Sequence, residues 1–364
     1  MGPGQVCDPV RAIRFTAQRR RFSCEGAAVK ILVCCPQAYY SGPDSIAYEY
    51  ESFVHCPRRM GHRVHHFPYI YLAAAGREAM NDFFLSIVRN GGYDLVFVAT
   101  GEDEFIPGVL DEARAHAVTV AWNADDDWRW EDYSSKLACH YSFMVTTYRD
   151  VYEANRRAHP NLLLSQWGCT GLHEGTSTAK DIDFSFVGLG YGQRLAQIER
   201  LRDELGLIAY GRNVGAARGW KGVVKRRAAR FLGIAYDERS RELPNQQAVK
   251  QIWNRTKVSF TPLEASEGHG LQIKGRVFDM GLSGTVMLCT KNPALHEFYE
   301  PDGEFVEYET LEECVDKARF LLAHERERSA ITRRYYERTK AEHLWEHRFE
   351  ALFKVIGLPP FGKE

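Results

Sequence analysis

Short apolar runs alternate with amphipathic stretches along most of the chain from residue 29 onward. The run 30–35 (Lys-Ile-Leu-Val-Cys-Cys) ends at Pro36, and a loop and a helical stretch to about Arg59 follow it. Further apolar runs occupy 61–67, 94–99 and 118–122. Because strands that are apolar on both faces belong to parallel sheets covered by helices, this pattern predicts a parallel α/β domain.

The same alternation restarts in the second half of the chain. Residues 168–182 are rich in Gly, Thr and Ser without periodicity, which is typical of a linker. Strands are predicted after it at 184–187, 257–261, 285–289 and 305–308, and helices near 246–254, 274–283, 293–299 and from 309 onward. We therefore predict two tandem Rossmann-like, doubly wound parallel-sheet domains with a ligand cleft between them.

The predicted domains span 29–172 and 173–340, and the segment 341–364 is predicted to be a helix that packs back on the first domain. A length of 364 residues fits two domains, because single cores stop growing before this size. Residues 1–28 are polar and Arg-rich and are predicted to be a disordered leader outside the fold.

Charge and cysteine content exclude several classes of protein. Lys+Arg 47 against Asp+Glu 48 gives a net charge of -1, so we expect no nucleic-acid partner. The nine cysteines are an odd number and contain no CxxC pair, which argues against a disulfide framework and against a structural zinc site. Buried thiols and the lack of a segment of about 18 apolar residues predict a cytoplasmic protein.

One basic run stands out at 212–230, with seven cationic side chains and no acidic one. Such a run either binds an anionic membrane surface or a phosphorylated acceptor, or it forms a solvated helix face. Peripheral membrane contact through this run is therefore one of two interpretations.

Gly-containing turns follow the first strand of each half. Open parallel sheets bind ligands beyond the carboxyl ends of their strands, so Tyr40, Ser41, Gly42 and His140 are candidates in the first half. In the second half the candidates are Gly188, Gly190, Tyr191, Gly192 and Arg194. Gly-x-Gly-x-Gly is not the dinucleotide fingerprint, and both a phosphate-binding turn and a plain tight turn stay open.

A second candidate site begins at Glu267 and continues through Gly284. A Gly-flanked turn leads into a helix whose first turn carries Lys274 and Arg276, so two cations and free amides converge as a diphosphate site requires. Asp279 lies within two turns of that start, where it could accept bonds from ribose or sugar hydroxyls. The alternative is a solvated face in which Asp279 pairs with one of the cations.

Three consecutive carboxylates, Asp125, Asp126 and Asp127, follow the strand 118–122 directly. A carboxylate at this edge of a sheet can orient an acceptor hydroxyl or take its proton. The alternatives are a capping group for a helix near Tyr133 and an interdomain ion pair. We predict that the triplet holds no metal.

Several short motifs in order resemble those of CgeB-like (spore-maturation-protein-like) glycosyltransferases. They are Gln272–Gly284 (QIKGRVFDMGLSG), the acidic segment 292–308 and Glu342–Phe349 in the second half, and Trp122–Asp127, Asp132–Ser135, Val145–Thr147 and Leu164–Trp167 in the first. The similarity runs from about 29 to about 353. It implies the GT-B architecture and transfer of a sugar from a nucleotide-diphosphate donor, with a UDP-sugar favoured.

The resemblance also implies roles for residues. The donor is expected on the C-terminal domain, with Lys274 and Arg276 on the departing diphosphate and Asp279 on the ribose. The related retaining family carries a Glu, seven residues and a second Glu. Strict spacing places Leu271 at the first position, so Glu267, displaced by about one helical turn, is the candidate there.

His269 and Gly270 would lie beside the donor, and Asp126 and Asp127 would act on a small-molecule, glycan or lipid-linked acceptor. The reaction would be retaining and metal-independent and would need no cofactor. The alternative from another class is a non-catalytic module that binds a nucleotide or a glycan, and a phosphorylase or epimerase on the same fold is a further one.

Overall fold

A computed structural model of the chain describes residues 27–38, 46–99, 101, 103–171, 179–214, 240–241, 245–265 and 270–362. All but the last two residues of the predicted leader lie outside this part. The chain divides into two compact units: the first comprises Met1–Gly168 and Trp345–Glu364, and the second comprises Cys169–Leu344. The division observed at Gly168 lies four residues before the predicted domain boundary at 172, and the C-terminal helix belongs to the first unit.

The first unit contains a parallel sheet of six strands in the order β2-β1-β3-β4-β5-β6. The strands are β1 (Lys30–Cys34), β2 (Arg63–Phe67), β3 (Leu95–Val98), β4 (Val118–Asn123), β5 (Phe143–Thr146) and β6 (Leu162–Leu164). The α-helices are Tyr48–Tyr50, Cys56–Arg59, Tyr69–Ala75, Arg77–Gly91, Pro107–Ala113, Asp126–Arg129, Ser135–Leu137, Arg149–Asn155 and Trp345–Ile356. Two π-helical turns, Glu51–His55 and Trp130–Ser134, and one 3-10 turn, Ala138–His140, complete it.

The second unit contains another parallel sheet of six strands, in the order β12-β11-β10-β7-β8-β9. The strands are β7 (Ile182–Val187), β8 (Ile208–Tyr210), β9 (Ser240–Arg241), β10 (Thr256–Thr261), β11 (Val286–Thr290) and β12 (Val306–Tyr308). The α-helices are Arg194–Leu205, Gln246–Arg255, Gly275–Asp279, Leu311–Ala323 and Glu325–Glu342, and the 3-10 turns are Met280–Ser283 and Pro293–Glu297.

Aromatic side chains form the centre of the first unit. Trp345, from the C-terminal helix, is fully buried, with its ring 5.0 Å from Phe53 and 5.2 Å from Trp122. Trp345 Nε1 donates a hydrogen bond to the Tyr48 hydroxyl at 3.1 Å. Since a buried Trp needs a partner for its N–H, this bond fixes the entry of the helix into the core.

The apolar runs predicted most of the strands, with bounds that differ by one or two residues. The predicted helix 274–283 is an α-helical turn followed by a 3-10 turn, and 293–299 is 3-10 only. Strands β5, β6, β8 and β9 were not predicted, because two to four residues are too few to show a period. No helix in the described ranges is long and apolar enough to cross a membrane.

The Lys180 side chain links two segments of the chain through hydrogen bonds at the amino-terminal edge of the second sheet. Its Nζ donates hydrogen bonds to the carbonyls of Ser283 at 2.7 Å and Trp253 at 3.3 Å, and to Thr285 Oγ1 at 3.4 Å. Trp253 and Ser283 lie near the carboxyl ends of their helical segments, where an ammonium group interacts favourably with the helix dipole. Burial, together with the positive charge of Arg328, lowers the pKa of Lys180 to about 8.

This shift predicts a pH-dependent contribution to stability. Between pH 8 and about 10.4 the unfolded state binds more protons at Lys180 than the folded state, so the free energy of unfolding should rise with pH. The Tm of the wild type minus the Tm of Lys180→Met should therefore increase from pH 7.5 to pH 9.5. Lys257→Met, which removes a surface ion pair with Asp183, is the control and should show no such growth. A constant or shrinking difference for Lys180→Met would contradict the assignment.

Candidate functional site

The second sheet has its topological switch point between β7 and β10. From β7 the chain adds β8 and β9 on one side of the sheet, and it then returns to place β10 on the other side of β7. The loops that follow β7 and β10 therefore diverge at their carboxyl ends and leave a crevice. This is where open α/β sheets bind ligands.

The Gly turn after β7 packs backbone to backbone against the loop after β8. Gly188 N donates to Tyr210 O and Gly190 N to Arg212 O, both at 2.9 Å. A Cβ on Gly211 would lie 1.6 Å from Gly188 O, and one on Gly190 would lie 2.6 Å from Asn213 O. The glycines are required here because a side chain at either position would force the two loops apart.

Three cationic side chains converge on this turn. Arg276 Nη1 donates to Val187 O at 2.8 Å, at the end of β7. Arg194 is 4% exposed, stacks its guanidinium 4.1 Å over the Tyr191 ring, and donates to Leu189 O at 3.2 Å. Lys274 Nζ lies 3.4 Å from the Tyr191 hydroxyl. Of the predicted donor-side residues, the structure thus brings Gly188, Gly190, Tyr191, Arg194, Lys274 and Arg276 together.

The main-chain carbonyl of Glu264, in the loop after β10, accepts hydrogen bonds from three side chains. Lys274 Nζ donates to it at 2.7 Å, Arg194 Nη2 at 3.0 Å and the Tyr191 hydroxyl at 2.9 Å. The Glu264 carboxylate lies beside them, with Oε2 3.6 Å from Arg194 Nη2. We name Arg194, Lys274, Arg276 and Glu264 the cation cluster.

The cation cluster carries more positive than negative charge. Three cations face one carboxylate, and Arg194 Nε is buried without a hydrogen-bond partner among the described residues. Burial, together with the charge of Arg194, lowers the pKa of Arg276 to about 10. Since the positive charges destabilise one another in a poorly solvated place, the arrangement favours an anionic ligand.

Asp279 lies on the same short helix as Arg276 but contacts a different group. Its carboxylate is 6% exposed, and Oδ1 accepts hydrogen bonds from Thr170 N at 3.1 Å and from Thr170 Oγ1 at 3.5 Å. Lys250 Nζ donates to the same Thr170 hydroxyl. A small cavity lined by these residues adjoins them. These hydrogen bonds hold the carboxyl end of the helix Gly275–Asp279. The predicted bond from Asp279 to ribose stays a prediction.

Asp126 and Asp127 of the first unit lie at the carboxyl end of β4, and their environments differ. Asp126 is 1% exposed and accepts from Ser134 Oγ at 2.5 Å, and burial raises its pKa. Asp127 is exposed; partial desolvation raises its pKa, and a hydrogen bond from the Tyr148 hydroxyl opposes that effect. Asp127 is thus the more accessible of the two predicted catalytic carboxylates.

Of the remaining predicted residues, His140 lies at a different edge, whereas Gly270 and Gly192 lie in the loops after β10 and β7. His140 precedes β5 and therefore lies at the amino-terminal edge of the first sheet, with Nδ1 2.9 Å from Asp111 Oδ2. Gly270 accepts a hydrogen bond from Ala265 N at 2.8 Å in the loop after β10, and Gly192 has a left-handed backbone, with φ 52°. Tyr40, Ser41, Gly42, Glu267, His269 and residues 215–230 of the basic run lie outside the described residues.

Sequence reasoning missed two residues at these edges. Glu264 follows β10 closely, and a polar side chain just after a buried strand is a signal that could have found it. Trp128 is 49% exposed beside Asp127, and its position in the acidic segment gave no comparable signal. Among the side chains that the structure describes, no three His, Cys, Asp or Glu residues form a group that could hold a metal ion.

Solved structures share this architecture. HepE from Anabaena, in complex with UDP and glucose, matches with a TM-score of 0.58 at 13% identity, over 90% of this chain and 99% of that one. An α-glucosyltransferase in complex with UDP-glucose and DNA matches with a TM-score of 0.61 at 9% identity, over 91% and 100%. The chain has the GT-B glycosyltransferase fold.

The pneumococcal O-GlcNAc transferase GtfA, in complex with UDP and GlcNAc, matches with a TM-score of 0.51 at 14% identity. The match covers 78% of this chain, and this chain spans only 60% of the length of GtfA. Residues 178–354 match the family model described as glycosyl transferase-like. A search of curated protein sequences finds no significant match. The family match includes the whole cation cluster of this GT-B chain.

The Gly turn supplies a test of the cation cluster. A Cβ on Gly188 would lie 2.9 Å from Arg276 Nη1, whereas one on Gly192 would meet nothing within 4 Å. Gly188→Ala should displace the Arg276 guanidinium. Because hydrogen bonds between this charged group and the anion would be lost, the binding of inorganic pyrophosphate should weaken about tenfold. Gly192→Ala should cost about 1 kcal/mol of stability and leave the Kd near the wild-type value. Calorimetric titration of folded variants measures both, and equal Kd values would contradict the placement of the anion.

Proposed function

We propose that the chain transfers a sugar from a nucleotide-diphosphate sugar, with a UDP-sugar favoured, to a hydroxyl-bearing acceptor. The observation that carries the proposal is the cation cluster at the switch point between β7 and β10, which has three cations and one carboxylate. The glycosyl transferase-like family match over 178–354 and the UDP complexes of the GT-B neighbours support it.

The chemistry of the leaving group explains the need for such a cluster. When the bond between the sugar and the diphosphate breaks, negative charge develops on the diphosphate oxygens. Arg276, Lys274 and Arg194 can stabilise this charge from fixed positions in a place that water reaches poorly. Because three cations are already in place, we propose a reaction that needs no metal ion or other cofactor and that retains the configuration of the sugar, as the CgeB-like motifs imply.

On the first unit, we place the acceptor at the carboxyl end of β4. Asp127 is exposed there and has a raised pKa, so it suits a group that accepts a proton from a hydroxyl as the new bond forms. The exposed ring of Trp128 offers an apolar face beside it. Asp126 would hold this segment through Ser134 rather than contact the acceptor.

The acceptor class is proposed from charge. One GT-B neighbour is bound to DNA, yet this chain has a net charge of -1, which does not favour a polyanion. We therefore propose a small-molecule, glycan or lipid-linked acceptor.

Ligand screening tests the proposal. Ligands that bind only the native state raise Tm in step with their affinity, so UDP and UDP-sugars should raise it more than GDP-, ADP- or dTDP-sugars. Slow hydrolysis of the donor without acceptor should accompany binding. Binding of a nucleotide without turnover of any donor would instead favour a non-catalytic module. Leu271, which stands where strict spacing expects the first Glu, is the observation that favours that alternative.

Arg276 gives the sharpest prediction for catalysis. Arg276→Ala should lower kcat/KM by about 30- to 1,000-fold, equivalent to about 2–4 kcal/mol of transition-state stabilisation, with the fold intact. Arg200→Ala is the matched control, since Arg200 lies on the surface and pairs with Glu204 and Glu312. Steady-state kinetics and Tm measurements check both. Near-normal turnover of Arg276→Ala would remove the cluster from the mechanism.

A further inference from the structure

One acidic side chain lies inside the cation cluster. Glu264 Oε1 accepts a hydrogen bond from Thr290 Oγ1 at 2.8 Å, at the end of β11. Glu264 Oε2 is buried and has no hydrogen-bond partner in the part of the chain that the structure describes. One oxygen of the carboxylate is therefore held by a neutral hydroxyl, and the other lies 3.6 Å from Arg194 Nη2.

The position of this carboxylate is over-determined. Leu263 N donates to Thr290 Oγ1 at 3.4 Å, and the Tyr308 hydroxyl lies 3.3 Å from the same atom. The loop around Glu264 is closed by bonds from Ala265 N to Gly270 O and from Gln272 N to Leu263 O, both at 2.8 Å. The Glu264 side chain is 40% exposed, so these hydrogen bonds rather than burial fix its position. The carboxylate is fixed beside the place where the proposed function puts a diphosphate of the same sign.

We propose that Glu264 is a positioning residue whose negative charge limits how tightly the cation cluster holds the nucleotide diphosphate. The inference rests on the proposed function. An enzyme that stabilises a departing diphosphate must still release it, and nucleotide release limits many turnovers. With Glu264 ionised, the four side chains carry a net charge of +2, and without that charge they would carry +3. Glu264 thus balances stabilisation of the leaving group against release of the product.

Glu264→Gln tests the charge while it keeps the shape. The amide oxygen can still accept the Thr290 hydroxyl, but the negative charge is gone. We expect UDP and inorganic pyrophosphate to bind about tenfold more tightly, equivalent to about 1.4 kcal/mol. Product inhibition by UDP should strengthen, KM for the donor should fall, and kcat should fall if release is limiting. A residue with a merely structural role would weaken binding instead.

Two further variants serve as controls. Glu312→Gln makes the same change in net charge on an exposed side chain of the helix Leu311–Ala323 and should leave the Kd of UDP unchanged. Thr290→Val removes the anchoring hydroxyl, keeps the charge of Glu264, and should not tighten binding. Unchanged or weaker binding of UDP by Glu264→Gln, or equal tightening by Thr290→Val, would overturn the inference alone. If the wild type bound neither UDP nor pyrophosphate, the proposed function would fall, and this inference with it.

Discussion

The architecture of the second unit depends on two guanidinium groups that lie side by side with little solvent around them. Burial of like charges is costly, and hydrogen bonds to main-chain carbonyls offset part of that cost here, although Arg194 Nε has no hydrogen-bond partner among the described residues. Arg276 bonds to Val187 O, and Arg194 bonds to Leu189 O and Glu264 O. Those carbonyls are available only because the Gly188–Gly192 turn leaves β7 sharply and the loop after β10 returns toward it. The same hydrogen bonds therefore determine the shape of both loops and hold the charged groups of the site in place.

Much of the fold could be predicted from the sequence, because short apolar runs such as 30–35 and 285–289 are typical of buried strands. The Gly turn and the pair Lys274 and Arg276 were predicted for the donor side from local pattern. The reason for the glycines was not, because the contact between Gly188 and Gly211 joins residues from different strands. The partners of Glu264 are also distant in the sequence, since Tyr191 and Arg194 follow β7 and Thr290 ends β11. His140 precedes β5 and so lies at the amino-terminal edge of the first sheet, and its predicted role stays a prediction.

The two units differ in how they treat carboxylates. In the second unit Glu264 lies beside cations, whereas in the first unit Asp126 is buried against the Ser134 hydroxyl. Burial raises the pKa of Asp126, and the hydrogen bond from Ser134 opposes that effect. Asp127, exposed at the same edge of the first sheet, also has a pKa raised by desolvation. The edge at β4 suits proton transfer, and the edge at β7 and β10 suits the binding of fixed charge. This difference supports the proposed division of acceptor and donor between the units.

The helix Trp345–Ile356 has a consequence for the order in which the protein is made. The core of the first unit contains Phe53, Trp122 and Trp167, yet Trp345, which packs against all three, leaves the ribosome only after the whole of the second unit. Domains generally fold as units, N-terminal first, during synthesis. Here the first unit must wait with an incomplete aromatic core until the whole of Cys169–Leu344 has been synthesised. Removal of Trp345–Glu364 would therefore damage the first unit rather than the second unit, which immediately precedes that segment.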